Sequence, residues 1–318
     1  MLSRLVVPLD GLELAERALP YAIQLARVNN GQLMLVRAAL GPPPSGFDWE
    51  AQQVAAVNEA EAYLAHLVEQ LKAFVPVHNV VPYGPAAPAI VETVRGFEAD
   101  GVVMATHART GPAHLMHGSV AEAVLETADV PVFLVQAVPG EAAAPPFDPP
   151  AARILVPLDG SAFGAAALST AMDVLGPNAE LVLVRVVAPA AHAVKDERDH
   201  IIAYLDQVQD RLNAEASEYL RSLTRQVNQD RPEARVRIDV RVGKPVDGIA
   251  AAAADHVTDL IVMATHGRTG LRRAVLGSVA GAVLRTSRTP VLMVRPAEAS
   301  ARMEEAADAI DVSAFVSF

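Results

Sequence analysis

The residues with the most chemical potential form one run, Ala264-Thr-His266-Gly267-Arg268-Thr-Gly270-Leu-Arg272-Arg273-Ala-Val-Leu-Gly277-Ser278-Val279. Small residues let backbone N–H groups approach a phosphate without interference from a Cβ. A helix beginning near Ser278 would add unpaired N–H groups and the positive end of its dipole. The Ser278 hydroxyl can bond a phosphate oxygen, and Arg268, Arg272 and Arg273 can neutralise charge. Together these residues describe a cradle for an anion. A second candidate is Asp159, which closes the apolar run Arg153–Gly160 (RILVPLDG).

The chain carries this arrangement twice. Asp100–Gln136 and Asp259–Arg295 align without a gap at an offset of 159, and 19 of the 33 positions from Val103 to Val135 are identical in the second copy. The phrase RLVVPLDG at Arg4–Gly11 likewise repeats RILVPLDG. The copies differ where a ligand would sit. Ala108 replaces Gly267, Ala113 and His114 replace Arg272 and Arg273, and His117 replaces Leu276. A methyl at Ala108 costs about 1 kcal/mol if the position needs positive φ. The two lost arginines remove contacts of roughly 1 kcal/mol each at a partly exposed site. Residues 1–150 hold 7 Lys/Arg against 16 Asp/Glu, whereas 151–318 hold 19 against 21. The first half is therefore expected to bind an anion weakly or not at all.

Short apolar runs separated by helical patterns indicate parallel sheets built from βαβ units. Strands are expected at the two RxxVPLDG phrases, at Gln32–Ala38 and Glu180–Val186, at Val77–Tyr83 and Val236–Val242, at Gly101–Ala105 and Leu260–Ala264, and at Val130–Val135 and Thr289–Val294. Helices are expected over Glu13–Arg27, Ala51–Phe74, Gly164–Leu175, Asp199–Val227 and Val279–Arg285. The fold class is α/β, with two tandem five-stranded parallel-sheet domains at residues 1–137 and 152–296. A Pro/Ala linker would occupy 138–151 and an Ala/Glu-rich tail 297–318, with a Pro-rich surface loop at Leu40–Asp48. Apolar fifth strands are sheet edges that need cover, and in a tandem chain they can pair with each other.

Composition excludes several classes. The formal net charge of −11 argues against a general nucleic-acid binder, which needs a basic face. With no cysteine, thiol nucleophiles, disulfides and thiolate metal sites are out. No apolar run approaches a bilayer span, and the chain enters a strand at once, so a cytoplasmic protein without membrane or nucleic-acid partners is expected.

Taken together, the motifs resemble the universal stress protein family in its tandem, UspA-like form. The family pattern G-x2-G-x9-G-S/T is met by Gly267, Gly277 and Ser278, with Ala264 in the first position. The strand-end Asp159, the Gly243-Lys244-Pro245 helix start and Thr289-Pro290-Val291 also match, and the resemblance covers residues 3–137 and 152–296. It implies an adenine nucleotide hydrolase-like, Rossmann-like fold whose final strands pair across a pseudo-twofold axis. It also implies binding of ATP, with or without Mg, or of another adenine nucleotide, and homodimerisation.

By position, Asp159 would lie near the ribose or metal end and Val186 against adenine. Ala264, Gly267, Gly277, Ser278 and Val279 would surround the phosphates, with Pro157, His266 and Arg268 alongside. The weaker first-half equivalents are Asp10, Ala38, Ala105, Ala108, Arg109, Gly118 and Ser119.

Plainer readings stand beside these. Asp10 and Asp159 can cap the helices that follow them. His107 and His266 can be loop residues bonding the backbone, since no nucleophile or carboxylate is placed to work with them. The trio His107, His114 and His117 matches no helix-borne ligand spacing, and no metal site is assigned. Gly111 and Gly270 can serve only a turn. The one Gly-Lys, Gly243-Lys244, is followed by Pro245, so the phosphate loop of classical ATPases is missing. A regulatory nucleotide-binding protein leads this reading. A slow ATPase or phosphotransferase and a nucleotide-independent dimeric scaffold are the alternatives.

Overall fold

The computed structural model describes residues 2–39, 49–106, 118–137, 140, 153–176, 179–191, 194–195, 201–265 and 276–295. The Pro-rich segment 40–48, most of the linker, the tail and the loops 107–117 and 266–275 lie outside the described residues. Among the described residues, one compact unit holds everything up to Gly140 together with Leu276 and Ser287–Met293. The other begins at Arg153 and takes in Gly277–Thr286 and Val294.

The first unit runs β1 (Arg4–Pro8), α1 (Glu13–Glu16), α2 (Leu19–Val28), β2 (Gln32–Val36), α3 (Trp49–Leu71), β3 (Val77–Val80), α4 (Ala86–Gly96), β4 (Gly101–Thr106), α5 (Ser119–Thr127) and β5 (Val132–Gln136). The second runs β6 (Arg153–Pro157), α6 (Ala162–Val174), β7 (Glu180–Val187), β8 (Val194–Lys195), β9 (Ile201–Ala203), α7 (Leu205–Asp230), β10 (Arg235–Val242), α8 (Pro245–Asp255), β11 (Leu260–Ala264) and α9 (Ser278–Thr286). The last strand, β12, is Val291–Val294.

Strand order in the first unit is β3-β2-β1-β4-β5, and in the second β10-β7-β6-β11. All these neighbours pair in parallel. Each sheet grows outward from its first strand and then crosses to that strand's other side, creating a switch point between β1 and β4 and another between β6 and β11. As expected of the fifth strands, Val291–Met293 of β12 pairs antiparallel with Val132–Leu134 of β5. The central strands read as continuous Val, Leu and Ile because helices cover both faces; every residue of β4 is buried. Helix α7 supplies such cover with one stripe, burying Ala216, Leu220, Leu223 and Val227 at helical spacing.

Two elements depart from the sequence reading. The helix expected over Glu13–Arg27 is broken at Arg17–Ala18 into α1 and α2. The cause is Pro20 near the start of α2, which has no N–H to give and whose ring conflicts with the carbonyl four residues earlier. Its counterpart in the second half is Ser169, and α6 runs through unbroken. The helix expected from Asp199 begins instead at Leu205, after the short antiparallel pair β8–β9.

At the end of each sheet opposite the switch-point loops, an aspartate ties the first strand to the fourth. Asp100 Oδ2 accepts from the Ser3 N–H at 3.0 Å, the Ser3 hydroxyl at 2.6 Å and the Arg4 N–H at 2.9 Å. Asp259 Oδ2 accepts from the Arg153 N–H at 2.8 Å. Burial opposes ionisation of Asp100, but the bonds from Ser3 and Arg4 outweigh it and hold the carboxyl below its ordinary value. The folded value is thus lower than the unfolded one. The clamp's contribution is present above about pH 4 and is lost as pH falls through the folded value. Asp100→Ala is expected to cost about 2–3 kcal/mol at neutral pH, and the gap from the unaltered protein should narrow at about pH 3. Urea midpoints of the full chain at the two pH values check both.

Candidate functional site

The second-half site begins where β6 runs out. The Leu158 N–H donates to the Val184 carbonyl at 2.8 Å, keeping the chain beside β7 for one more residue. It then turns at Gly160, whose φ is 88°. Asp159 Oδ1 accepts from the Ser161 N–H at 2.9 Å and its hydroxyl at 2.6 Å, while Ser161 Oγ caps α6 by accepting from the Gly164 N–H at 3.2 Å. The cap of α6 is thus Ser161 and not Asp159, which holds the turn before the helix and also lines the cleft.

On the other side of the switch point, β11 ends at Ala264 and buried Thr265. The Gly277 N–H donates to the Thr265 carbonyl at 2.8 Å, and the Gly277 carbonyl accepts from the Gly281 N–H at 2.8 Å, starting the helical ladder of α9. The N–H of Gly277 is therefore spent within the protein. Those of Ser278, Val279 and Ala280 occupy the first helical turn, where no intrahelical carbonyl can reach them. All three residues line the cleft.

The cleft has a volume of about 260 Å³. Pro157, Asp159, Val186, Ala264, Gly277, Ser278 and Val279, all singled out from sequence, meet in it; His266, Gly267 and Arg268 lie outside the described residues. Sequence reasoning missed Gly164, Val184, Pro245, Ile249 and Met263, which supply the apolar wall. These residues belong to ordinary apolar runs, and only the crossing of the strands brings them to one place.

The first half builds a cleft of about 380 Å³ from equivalent positions. Asp10, Ala38, Ala105, Gly118 and Ser119 line it, and Ala108 and Arg109 lie outside the described residues. Asp10 Oδ1 accepts from the Leu12 N–H at 2.9 Å, a narrower version of the Asp159 turn because Leu12 has no hydroxyl to add. Helix α5 starts as α9 does, with the Glu122 N–H bonded to the Gly118 carbonyl at 3.1 Å. Glu122, however, puts a carboxylate in its first turn where α9 has Gly281. Among the described residues no cluster of His, Asp and Glu suited to a metal ion is found.

A further pair of residues braces the glycine turn next to each cleft without lining it. Arg185 lies beside the Gly160 turn with its guanidinium carbon 5.0 Å from the ring centre of Tyr219. Arg37 does the same beside Gly11, 5.1 Å from Tyr63, and pairs with Glu59 at 2.8 Å. Tyr63 in turn donates to Glu16 at 2.8 Å, and burial followed by that bond raises its pKa well above the ordinary value. The repeated Leu-Val-Arg of Leu35–Arg37 and Leu183–Arg185 was the available sequence signal.

A model of the universal stress protein family matches residues 1–136 and 151–295. The chain belongs to the universal stress protein family. A universal stress protein of Mycobacterium tuberculosis is 28% identical over 304 residues, spanning 91% of this chain and 96% of its own. One from Methanocaldococcus jannaschii is 28% identical over 140 residues, 42% of this chain and 82% of its own. The solved structure of a universal stress protein from Archaeoglobus fulgidus has the same fold, with a TM-score of 0.68 at 19% identity over 92% of this chain and 98% of its own.

In this universal stress protein the Asp-Gly turn is held by both backbone and side chain. A Cβ added at Gly160 would need positive φ and would lie 3.2 Å from Arg185 Nη2. Gly160→Ala is therefore expected to destabilise by about 1–2 kcal/mol. Adding Arg185→Ala should relieve the contact but leave the φ strain, so the two changes combine less than additively in a double-mutant cycle read by urea denaturation.

Proposed function

We propose that this universal stress protein is a regulatory binder of adenine nucleotides, with ATP, carried with or without Mg, held mainly by the second half. The observation that carries the reading is the first turn of α9. Its N–H groups from Ser278 to Ala280 open on a cleft whose other wall is Val184, Val186, Ile249 and Met263. An apolar slot facing a helix N-terminus suits a flat ring joined to an anionic tail.

Each element has one task in this reading. Val186 and its apolar neighbours take the ring and exclude water from it. The α9 turn and the Ser278 hydroxyl take phosphate oxygens. Arg268, Arg272 and Arg273, placed by sequence in the same loop, compensate its charge. Asp159 serves the sugar or a nucleotide-borne cation. The carboxylate in this set, Asp159, is engaged by Ser161 and assigned to the sugar or cation end, which favours occupancy over turnover as the signal. We extend the reading to a cytoplasmic homodimer whose contacts, or whose affinity for a protein partner, follow nucleotide occupancy. Among the described residues no helix is long and apolar enough to cross a membrane.

Calorimetric titration of nucleotide-stripped full chain with Mg·ATP tests it. One site per chain is expected, lost when Gly277→Ala and Ser278→Ala are combined. Two equal sites would overturn the asymmetry between the halves, and no binding would leave a nucleotide-independent scaffold.

A further inference from the structure

The two clefts differ in shape at the end where β2 and β7 stop. In the second half Val186 occupies the space a side chain on α8 would need: a Cβ at Gly248 would lie 2.6 Å from Val186 Cγ2 and 2.9 Å from Cγ1. The same two positions in the first half are Ala38 and Ala89. The bulk has moved from the strand, where it faces the cleft, to the helix, where Ala89 is buried away from it. Ala86 stands where Pro245 lines the second cleft, opening the same end further. The exchanges Val to Ala and Pro to Ala each remove two carbons from the lining, and Ala15 in place of Gly164 returns one. The first cleft is correspondingly the larger, at about 380 Å³ against about 260 Å³.

The charges differ as well. Asp10 lines the first cleft, and α5, whose first residues line it too, carries the exposed carboxylate of Glu122 in its first turn, on a half with more than twice as many acids as bases. A carboxylate at the first turn of α5 occupies the field that would otherwise attract a phosphate. The apolar end is thus retained and widened, while the acid excess of this half and the Glu122 charge at the start of α5 weaken the attraction for an anion.

We infer that the first-half cleft is a separate binding site for an uncharged nucleoside whose ring carries a substituent too bulky for the second cleft, with Ala38 and Ala89 as the steric gate. The assignment of the β2 and β7 ends as the ring end rests on the adenine reading of the second half. Moving one pair of residues between halves exchanges cleft volume for core volume, so it alters ligand choice at little cost to packing.

The test uses the full chain and two probes, N6-benzyladenosine and 2-phenylaminoadenosine, which carry the bulk on the two ring edges remote from the sugar. At least one is expected to bind at one site per chain and to survive the Gly277→Ala, Ser278→Ala combination that removes ATP. Ala38→Val with Ala89→Gly should weaken that probe tenfold or more and leave the Mg·ATP titration unchanged. The reverse exchange, Val186→Ala with Gly248→Ala, should raise its stoichiometry from one to two, a gain that misfolding cannot produce. Failure of both probes to bind, or binding indifferent to both exchanges, overturns the inference. Absence of ATP binding by the unaltered chain, with the probe bound and sensitive to both exchanges, would instead overturn the reading of the second half and leave this site standing.

Discussion

The parallel pairing of each unit's first strand with its fourth is the constraint on which both sites depend. Leu5 and Val6 lie opposite Gly101 and Val102, and Ile154 and Leu155 opposite Leu260 and Ile261. In a parallel pair both chains finish on the same side, so the turns after β1 and β4, or after β6 and β11, must leave the sheet next to each other. The strand order then sends one turn outward and the other inward, and a cleft opens between them. Asp100 and Asp259 fix the opposite ends of these pairs by binding the N–H groups where β1 and β6 begin. A carboxylate at the end of the strands remote from each cleft thereby holds the pairing on which the placement of Asp10, Asp159 and the helix starts depends.

Within that frame the chemistry is divided between backbone and side chains. The backbone part is common to both halves: an Asp-Gly turn with positive φ, braced in each by an arginine over a tyrosine ring, and a helix whose first residues line the cleft. The side-chain part has diverged. Gly281 against Glu122 changes the charge at the helix start, and Val186 with Gly248 against Ala38 with Ala89 changes the depth of the apolar end. Backbone geometry depends on the whole sheet and is hard to alter piecemeal, whereas lining side chains can change one at a time. That is a physical reason for a duplicated domain to keep its fold while its two clefts part in shape and charge.

The sequence by itself determined the duplication, the α/β class and the strands that pair in parallel in each unit, and it singled out the small-residue loop at 264–278. These are local properties: apolar runs, glycine spacing, and the order of elements along the chain. It also contained the arginine differences at 272 and 273, because charge can be counted without coordinates. The break between α1 and α2 was equally local and legible in Pro20, although amphipathic spacing masked it.

Tertiary structure decided what surrounds the clefts. That the Gly277 N–H is spent on Thr265, that Arg185 stacks on Tyr219, and that Gly248 is glycine because Val186 fills its side-chain space all depend on residues distant in sequence. No spacing rule links Val186 to Gly248, since an intervening long helix and a strand separate them and only the parallel crossover brings β7 against α8. Periodicity reports which face of an element is buried, but the neighbour that buries it is chosen by topology. For that reason many of the residues that meet in the second cleft were readable in the chain, and the difference in shape between the two clefts was not.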